Sequence, residues 1–167
     1  MYNKTIKSSV GHYLSGFADG EGSFNIFFRK RDDYKIGWKV SVCFNVSQNE
    51  RVILALFKRH LRCGTIRRRT DGIHYYGVNN LKAIIENVIP FFNRFRFLSQ
   101  KKRLNFAKFK KIVILIKDEN AHLSTDGIKE ILSIRKKMND GEKRRYSDNH
   151  ILQDILKSSE TIRRTLN

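Results

Sequence analysis

Residues 14–24 read LSGFADGEGSF, and in this segment we expect a short helix to give way to the first strand. The segment from Val10 to Ala18 is short, apolar and rich in small residues, which predicts a helix. We expect the glycines that follow it to close the helix by adopting positive φ angles. The sequence therefore predicts a helix that runs into an acidic, glycine-rich break before the strand begins.

Two segments with alternating apolar residues follow this helix. Residues 23–31 place Phe24, Ile26 and Phe28 on one face of a strand, and residues 38–47 place five apolar side chains on one face of the next. Alternation of period two is typical of a strand that is buried on one side. The two segments therefore predict an antiparallel hairpin with one apolar face and one polar face.

A helix and a second hairpin come next. Val52 to Leu61 has helical spacing, and the strands Thr65–Arg69 and Ile73–Val78 flank an Asp-Gly turn dipeptide. Pro90 is expected to end the following helix. Amphipathic spacing predicts further helices at residues 81–89, 99–117, 124–138 and 147–164.

The order of these elements indicates an α+β fold. Helices that cover one face of a four-stranded antiparallel sheet, in the order αββαββα, would bury the apolar faces and leave the polar face uncovered. We expect one domain over residues 1–167, with a core at about 10–117 and a C-terminal helical extension at about 118–167.

The composition limits the function. The 167 residues carry 34 Lys and Arg against 16 Asp and Glu, a net charge of +18 that is spread along the chain. A positive folded surface favours a polyanion, most often nucleic acid. No apolar run approaches the length of a membrane span, and the first nine residues lack a secretion signal, so we expect an intracellular protein with no membrane partner. Two isolated cysteines argue against a disulfide framework or a structural zinc site.

The polar faces of the predicted hairpins carry side chains suited to the major groove. Arginine pairs with guanine and asparagine with adenine, so strands that carry both residues can read a sequence. The alternative is that the basic side chains only keep the face soluble and discourage strand pairing. The candidate DNA-binding residues are Asn25, Phe27, Arg29, Arg31, Lys39, Ser41, Cys43, Asn45, Arg67, Arg69, His74 and Tyr76.

Residues 14–22 resemble the LAGLIDADG signature of homing endonucleases. The predicted element order is similar to that of the family, and residues 44–48 and 99–106 are similar to its later segments. The resemblance implies a sequence-specific endonuclease that cuts double-strand DNA at a long pseudo-palindromic site, requires a divalent metal and is encoded by an intron. The signature positions that this chain keeps are Leu14, Gly16, Asp19, Glu21 and Gly22.

The resemblance also implies chemical roles. Glu21 and Gly20 would be the metal ligands, with Mg²⁺ as the ion, Mn²⁺ as a substitute, and Ca²⁺ binding without cleavage. Gln48 would position the attacking water. Lys101 would stabilise the developing phosphate charge, although an alignment shifted by one residue gives that role to Lys102. No small-molecule cofactor is expected.

The chain carries one copy of the motif, whereas cutting both strands of a duplex needs two centres. Single-motif members of the family are homodimers, which implies an isologous dimer here. Two glycines on one helix face would allow two such helices to approach closely. The expected interface residues are Tyr13, Gly16, Phe17, Asp19 and Gly20. Two alternatives remain, a non-catalytic nucleic-acid-binding protein and an intron-splicing maturase of the same fold.

Overall fold

A computed structural model describes residues 6–139 and 145–165 of the chain. The elements follow the predicted order. They are α1 (Ser8–Glu21), β1 (Gly22–Lys30), β2 (Trp38–Gln48), α2 (Arg51–Leu61), β3 (Thr65–Arg68), β4 (His74–Val78), α3 (Leu81–Ala83), a π-helical turn (Ile84–Val88), α4 (Ile89–Arg94), α5 (Gln100–Asp118), a 3₁₀ turn (Ala121–Leu123), α6 (Thr125–Lys136) and α7 (Asp148–Thr165).

The four strands form one antiparallel sheet in the order β1-β2-β4-β3, which confirms the predicted α+β class. In the pairing of β2 with β4, Val46 lies opposite Tyr76 and Gln48 lies opposite His74. β3 then pairs with β4 at the sheet edge. The turn of the second hairpin contains Gly72 at a φ of 86°, a conformation that glycine adopts at little cost.

The end of α1 differs from the prediction. The helix continues past Ala18 to Glu21, and Gly22 leaves it at a φ of −80° and a ψ of 148°, already in extended conformation. A positive φ is therefore not what requires a glycine here. A Cβ at Gly22 would stand 2.7 Å from the carbonyl oxygen of Ala18, so the close approach of the helix end to the first strand residue requires it.

Pro90 does not end its helix as predicted. It lies in the first turn of α4, directly after the π-helical turn, and the helical path continues to Arg94. Proline lacks an N–H and crowds the carbonyl four residues earlier. In the π turn the N–H of Ile89 bonds instead to the carbonyl of Ile84, five residues back, which changes the bonding pattern just before the proline.

The chain forms two compact units. The first comprises Met1–Asn25 and Val42–Ala107, and the second comprises Ile26–Ser41 and Lys108–Asn167. In the first unit, an aromatic cluster surrounds Phe24. Its ring centroid lies 5.1 to 5.8 Å from those of Phe44, Phe92, Phe97 and Phe106. Such contacts add about 0.5–1.5 kcal/mol each beyond burial, and here they hold the start of β1.

The second unit packs the tip of the first hairpin with the C-terminal helices. Trp38 is buried edge-on against Tyr146, with ring centroids 5.0 Å apart. The buried guanidinium of Arg135 donates to Asp148 at 2.9 Å and lies 5.0 Å from the ring of Phe28. Among the helices of the described ranges, none combines the length and apolar composition needed to cross a membrane.

Candidate functional site

Glu21 is the last residue of α1, and its side chain is exposed to solvent. The backbone passes directly from this helix into β1 at Gly22. The last carbonyls of a helix carry partial negative charge, which adds to that of the carboxylate. The end of α1 is therefore suited to attracting a cation.

Asp19 connects the last turn of α1 to the first turn of α5. Its Oδ2 accepts hydrogen bonds from the backbone N–H of Leu98 at 3.0 Å and of Ser99 at 2.9 Å, and its Oδ1 accepts one from the Ser99 hydroxyl. The Ser99 hydroxyl oxygen in turn accepts from the N–H of Lys102 at 3.3 Å, so Ser99 caps α5 as predicted. Asp19 is a predicted dimer-interface residue, and its carboxylate makes these three hydrogen bonds within its own chain.

Opposing effects act on the pKa of Asp19. Burial by itself raises it, but the hydrogen bonds from Ser99 and Leu98 and the charge of Lys102 together hold the pKa below its usual value. Asp19 is thus an ionised anchor at neutral pH.

Lys102 lies beside the end of α1. Its ammonium group donates a hydrogen bond to the carbonyl oxygen of Gly22, the residue that follows Glu21. Lys101 is exposed, and consecutive residues of an α-helix differ in direction by about 100°. The bond to Gly22 places Lys102, the second of the two lysines that the sequence proposes, at the end of α1.

Gln48 is the last residue of β2. Because β1 and β2 are antiparallel neighbours, the last residues of β2 lie beside the first residues of β1, at the same end of the two strands. Its Oε1 accepts a hydrogen bond from the N–H of Asn49 at 2.7 Å, and its side chain is partly exposed. The fold therefore brings Gln48, which ends β2, and Glu21, which directly precedes β1, to the same end of the sheet.

Two residues of β4 lie on the face opposite to the predicted one. Tyr76 is fully buried, its ring stacks on Phe57 with centroids 5.9 Å apart, and its hydroxyl donates to the carbonyl of Cys63 at 3.0 Å. His74 shares the parity of Tyr76, and its Nδ1 lies 2.9 Å from the carbonyl oxygen of Asn49. The sequence HYYGV has aromatic residues in both parities, so alternation alone does not determine which one is buried.

The residue that takes the polar face of β4 is Tyr75, which sequence reasoning missed. It lies opposite Ser47 and Arg67, and the polar parity of β2 is the signal that identifies it once the register is known. Cys43 is on the predicted face of β2 but is fully buried, with its sulfur 3.4 Å from the Tyr75 hydroxyl. It does not present an exposed side chain for DNA contact.

The remaining candidates on the second hairpin differ from one another. Arg67 is exposed on the polar face of β3. Arg69 lies beyond the end of β3, where its guanidinium forms an ion pair with Asp71 at 2.9 Å. Asn45 is half-buried on β2. Arg67 is therefore the candidate of the second hairpin that remains on the predicted face within a strand, as Asn45 does on β2 of the first hairpin.

The candidates near the tip of the first hairpin keep the predicted alternation. Phe27 and Arg29 are exposed on either side of the buried Phe28, whereas Arg31 forms two hydrogen bonds with the carboxylate of Asp33, at 2.8 and 2.7 Å, in the turn. The partly exposed candidates are Asn25 in the first unit and Lys39 and Ser41 in the second.

Comparison with known proteins identifies the family. The profile described as LAGLIDADG endonuclease matches residues 14–113, from α1 into α5. The chain belongs to the LAGLIDADG endonuclease family. This membership confirms the resemblance of residues 14–22 to the signature of homing endonucleases.

Individual relatives of this LAGLIDADG chain are similar at moderate identity. Probable intron-encoded endonuclease 2 of Neurospora crassa is 33% identical over 133 residues, which cover 77% of the chain and 29% of that relative. The chain thus spans less than a third of the length of this curated relative.

Two solved structures share the fold at full length or nearly so. The archaeal intron-encoded homing endonuclease I-Vdi141I, complexed with DNA, is 27% identical with a TM-score of 0.79, covering 90% of this chain and 96% of that one. The group I intron-encoded homing endonuclease I-CeuI of Chlamydomonas moewusii, also complexed with DNA, is 25% identical with a TM-score of 0.80, covering 92% and 79%.

The donor set of this LAGLIDADG chain fits a metal ion that is shared with a substrate. Within residues 6–139 and 145–165, no three His, Cys, Asp or Glu side chains form a group that could hold a metal. Mg²⁺ does not need a group of three protein ligands, since it keeps several waters and binds through one or two carboxylates together with substrate phosphates. The exposed carboxylate of Glu21, next to the carbonyl of Gly20 at the helix end, meets that requirement.

The outer face of α1 is open in this family member. Tyr13, Gly16 and Gly20 are exposed, and a Cβ added at either glycine would meet no atom within 4 Å. Phe17 is half-buried, with its ring centroid 6.3 Å from that of Phe57. A second helix could therefore approach this face closely.

Proposed function

We propose that this protein is an intracellular, intron-encoded homing endonuclease that hydrolyses both strands of duplex DNA at a long pseudo-palindromic site in a divalent-metal-dependent reaction. The observation that carries the proposal is the exposed Glu21 at the end of a helix that Asp19 and Lys102 join to α5. The net charge of +18 supports a DNA partner. The relatives named as intron-encoded endonucleases, two of them complexed with DNA, support the activity.

Each residue of the site has a role in this proposal. Glu21, with the Gly20 carbonyl, would hold Mg²⁺, which supplies a bound water of lowered pKa and neutralises charge on the leaving oxygen. The amide of Gln48 orients the attacking water. Lys102 presents positive charge to the phosphate as charge builds on it. An ammonium group has three donors, so its bond to Gly22 is compatible with a second bond to a phosphate oxygen.

Cleavage of plasmids tests the activity. A library of plasmids that carry candidate target sites is incubated with the protein in Mg²⁺, in Mn²⁺ and in Ca²⁺. We expect linear product in Mg²⁺ and Mn²⁺, and binding without cleavage in Ca²⁺. Glu21→Gln should lower the cleavage rate by about 100-fold or more while binding in Ca²⁺ persists.

Glu86→Gln is the matched control, because it neutralises an exposed carboxylate outside α1. Glu86 pairs with Lys82, four residues earlier in the same helical segment. It should cleave at the wild-type rate. Cleavage by Glu21→Gln at that rate would contradict the proposal. Duplex binding by the wild type without cleavage in any of the ions would favour a non-catalytic nucleic-acid-binding protein.

We further propose that the protein acts as a homodimer through the open face of α1. Such an isologous contact would bring the two Glu21 carboxylates near the two-fold axis, one for each DNA strand. The exposed Gly16 and Gly20 support close approach of the two helices. The proposed interface then comprises Tyr13, Gly16, Phe17 and Gly20.

Gly16→Ala tests the dimer without harming the fold. The added methyl meets no atom of its own chain, and alanine in a helix is favoured over glycine by about 1 kcal/mol, so the subunit should be slightly more stable. At a close helix contact, however, the methyl should weaken the dimer. Sedimentation at micromolar concentration should show a dimer for the wild type and a larger monomer fraction for the variant. A wild-type monomer on target DNA would contradict this arrangement.

A further inference from the structure

Tyr75 lies flat across the polar face of the sheet in the first unit. A Cβ added at Gly77, two residues along β4, would stand 2.5 Å from Cε1 of the Tyr75 ring. The hydroxyl at the far end of the ring reaches the sulfur of Cys43, 3.4 Å away on β2. The ring therefore lies over Gly77, and its hydroxyl contacts Cys43, a residue of polar-face parity that is nevertheless fully buried.

Asn45 joins this contact from the same strand. It lies opposite Gly77, and its Nδ2 is 3.7 Å from the sulfur of Cys43. We call Cys43, Asn45 and Tyr75 the neutral cluster. Asn45 is half-buried, so part of this residue remains exposed to solvent while its Nδ2 contacts Cys43.

The orientation of that amide matters for base recognition. An asparagine that pairs with adenine uses its Oδ1 and one hydrogen of Nδ2. Nδ2 carries two hydrogens, and the contact with Cys43 engages one of them. A side chain held in this way can offer the second hydrogen and Oδ1 to a base without first losing rotational freedom.

The cluster carries no charge at neutral pH. Burial raises the pKa of the Cys43 thiol. Burial, and then the contact with Cys43, raise the pKa of the Tyr75 hydroxyl far above its usual value. Neither group therefore attracts or repels phosphate as an ion, so the cluster should affect the orientation of Asn45 rather than general attraction to DNA.

We propose that Tyr75 is a positioning residue for base recognition: through Cys43, it holds the side-chain amide of Asn45 in place for bidentate pairing with an adenine in the major groove. This inference rests on the proposed function in one respect, the binding of duplex DNA by the polar face. It does not depend on cleavage.

Binding selection with the full-length protein tests this role. The wild type selects its targets from a randomised duplex library in Ca²⁺, and its relative affinity for the four bases is then measured at each position. We expect one position in each half-site to prefer adenine by about tenfold, and Asn45→Ala to abolish that preference. Tyr75→Phe, which removes only the hydroxyl, should reduce the preference about threefold or more.

Gly77→Ala provides a second, independent perturbation. Its methyl displaces the Tyr75 ring while leaving the hydroxyl in the protein, so it should relax the preference at the same base position. For both variants, the dependence of affinity on salt should match the wild type, because no charge has changed. Ser47→Ala, opposite Tyr75 on the same face, is the matched control and should keep the preference.

Circular dichroism and unfolding curves confirm that each variant folds. The inference is overturned if Tyr75→Phe and Gly77→Ala keep the preference at the position where Asn45→Ala loses it. It is also overturned if Asn45→Ala changes no position. Absence of any base preference in the wild type would instead overturn the proposed function, since sequence-specific binding itself would be missing.

Discussion

The junction of α1 with α5 and the neutral cluster on the sheet are held by opposite kinds of contact. At the junction, the carboxylate of Asp19 bonds to backbone N–H groups and the ammonium of Lys102 bonds to the backbone carbonyl of Gly22. In the cluster, a phenol, a thiol and an amide meet without charge. Charge-assisted bonds are the stronger kind, and they occur here on either side of Glu21 along the chain. Neutral contacts orient a side chain without adding attraction to phosphate.

The largest effect is expected from Lys102→Met, which removes the charge at the junction. Cleavage should fall by about 100-fold, because the proposed function assigns Lys102 the positive charge that is presented to the reacting phosphate. Lys101→Met is the matched control, since it removes an equal charge from the adjacent residue, and it should lower cleavage by no more than about threefold. Single-turnover cleavage of a selected target measures both. An equal loss in the two variants would show that the junction does not distinguish these lysines.

A smaller effect is expected from Asp19→Asn, which weakens the bonds between α1 and α5. Hydrogen bonds to a charged group contribute about 1.5–3 kcal/mol, and partial exposure reduces this to about 1–2 kcal/mol at neutral pH. Because folding lowers the pKa of Asp19, its contribution is complete above the ordinary carboxyl pKa and is lost as the pH falls through the folded value. Urea unfolding should therefore separate wild type from variant at pH 7, and the difference should shrink as the pH falls below the ordinary carboxyl pKa.

The control for this pH dependence is Asp33→Asn. Asp33 pairs with Arg31 on the surface, and both side chains are more than half exposed. Solvent screens such pairs, so this variant should unfold at the wild-type urea concentration throughout the pH range. A difference between wild type and Asp19→Asn that does not change with pH would contradict an anchoring role for the carboxylate.

The smallest effect is expected from Tyr76→Phe, the counterpart of Tyr75→Phe on the opposite face of β4. It removes the buried hydrogen bond to the carbonyl of Cys63 and should cost about 0.5–1.5 kcal/mol of stability. Base preference should be unchanged, because Tyr76 lies in the apolar core. A variant that keeps its stability but loses base preference would contradict the assignment of faces on β4.

Much of the fold could be predicted from local patterns. Alternation identified β1 and β2, where the core-facing Phe24, Phe44 and Val46 are all buried, and helical spacing identified α5 and its Ser99 cap. The pattern was insufficient at Pro90, where a π turn allows the helical path to continue. A bonding pattern shifted by one residue leaves no trace in the spacing of apolar side chains.

The candidate site was predicted less completely than the fold. Glu21 could be proposed because it lies within a recognisable motif, and Gln48 because it lies at the end of a clear strand in a segment similar to the family's. Lys102 could not be separated from Lys101, since neighbouring positions on a helix are distinguished only by what each one contacts. Tyr75 was missed for the related reason that two adjacent tyrosines satisfy either strand parity equally well.

The amino-acid sequence by itself determined which segments become helices and strands, the positive surface and the place of the acidic motif, because these depend on nearest neighbours and composition. The tertiary structure decided which tyrosine of β4 enters the core, that Lys102 bonds to the carbonyl of Gly22, and that Asp19 bonds to residues about 80 positions away. Such choices depend on contacts between distant segments. Only a folded chain, in which strand pairing and helix packing are complete, can distinguish between alternatives that are locally equal.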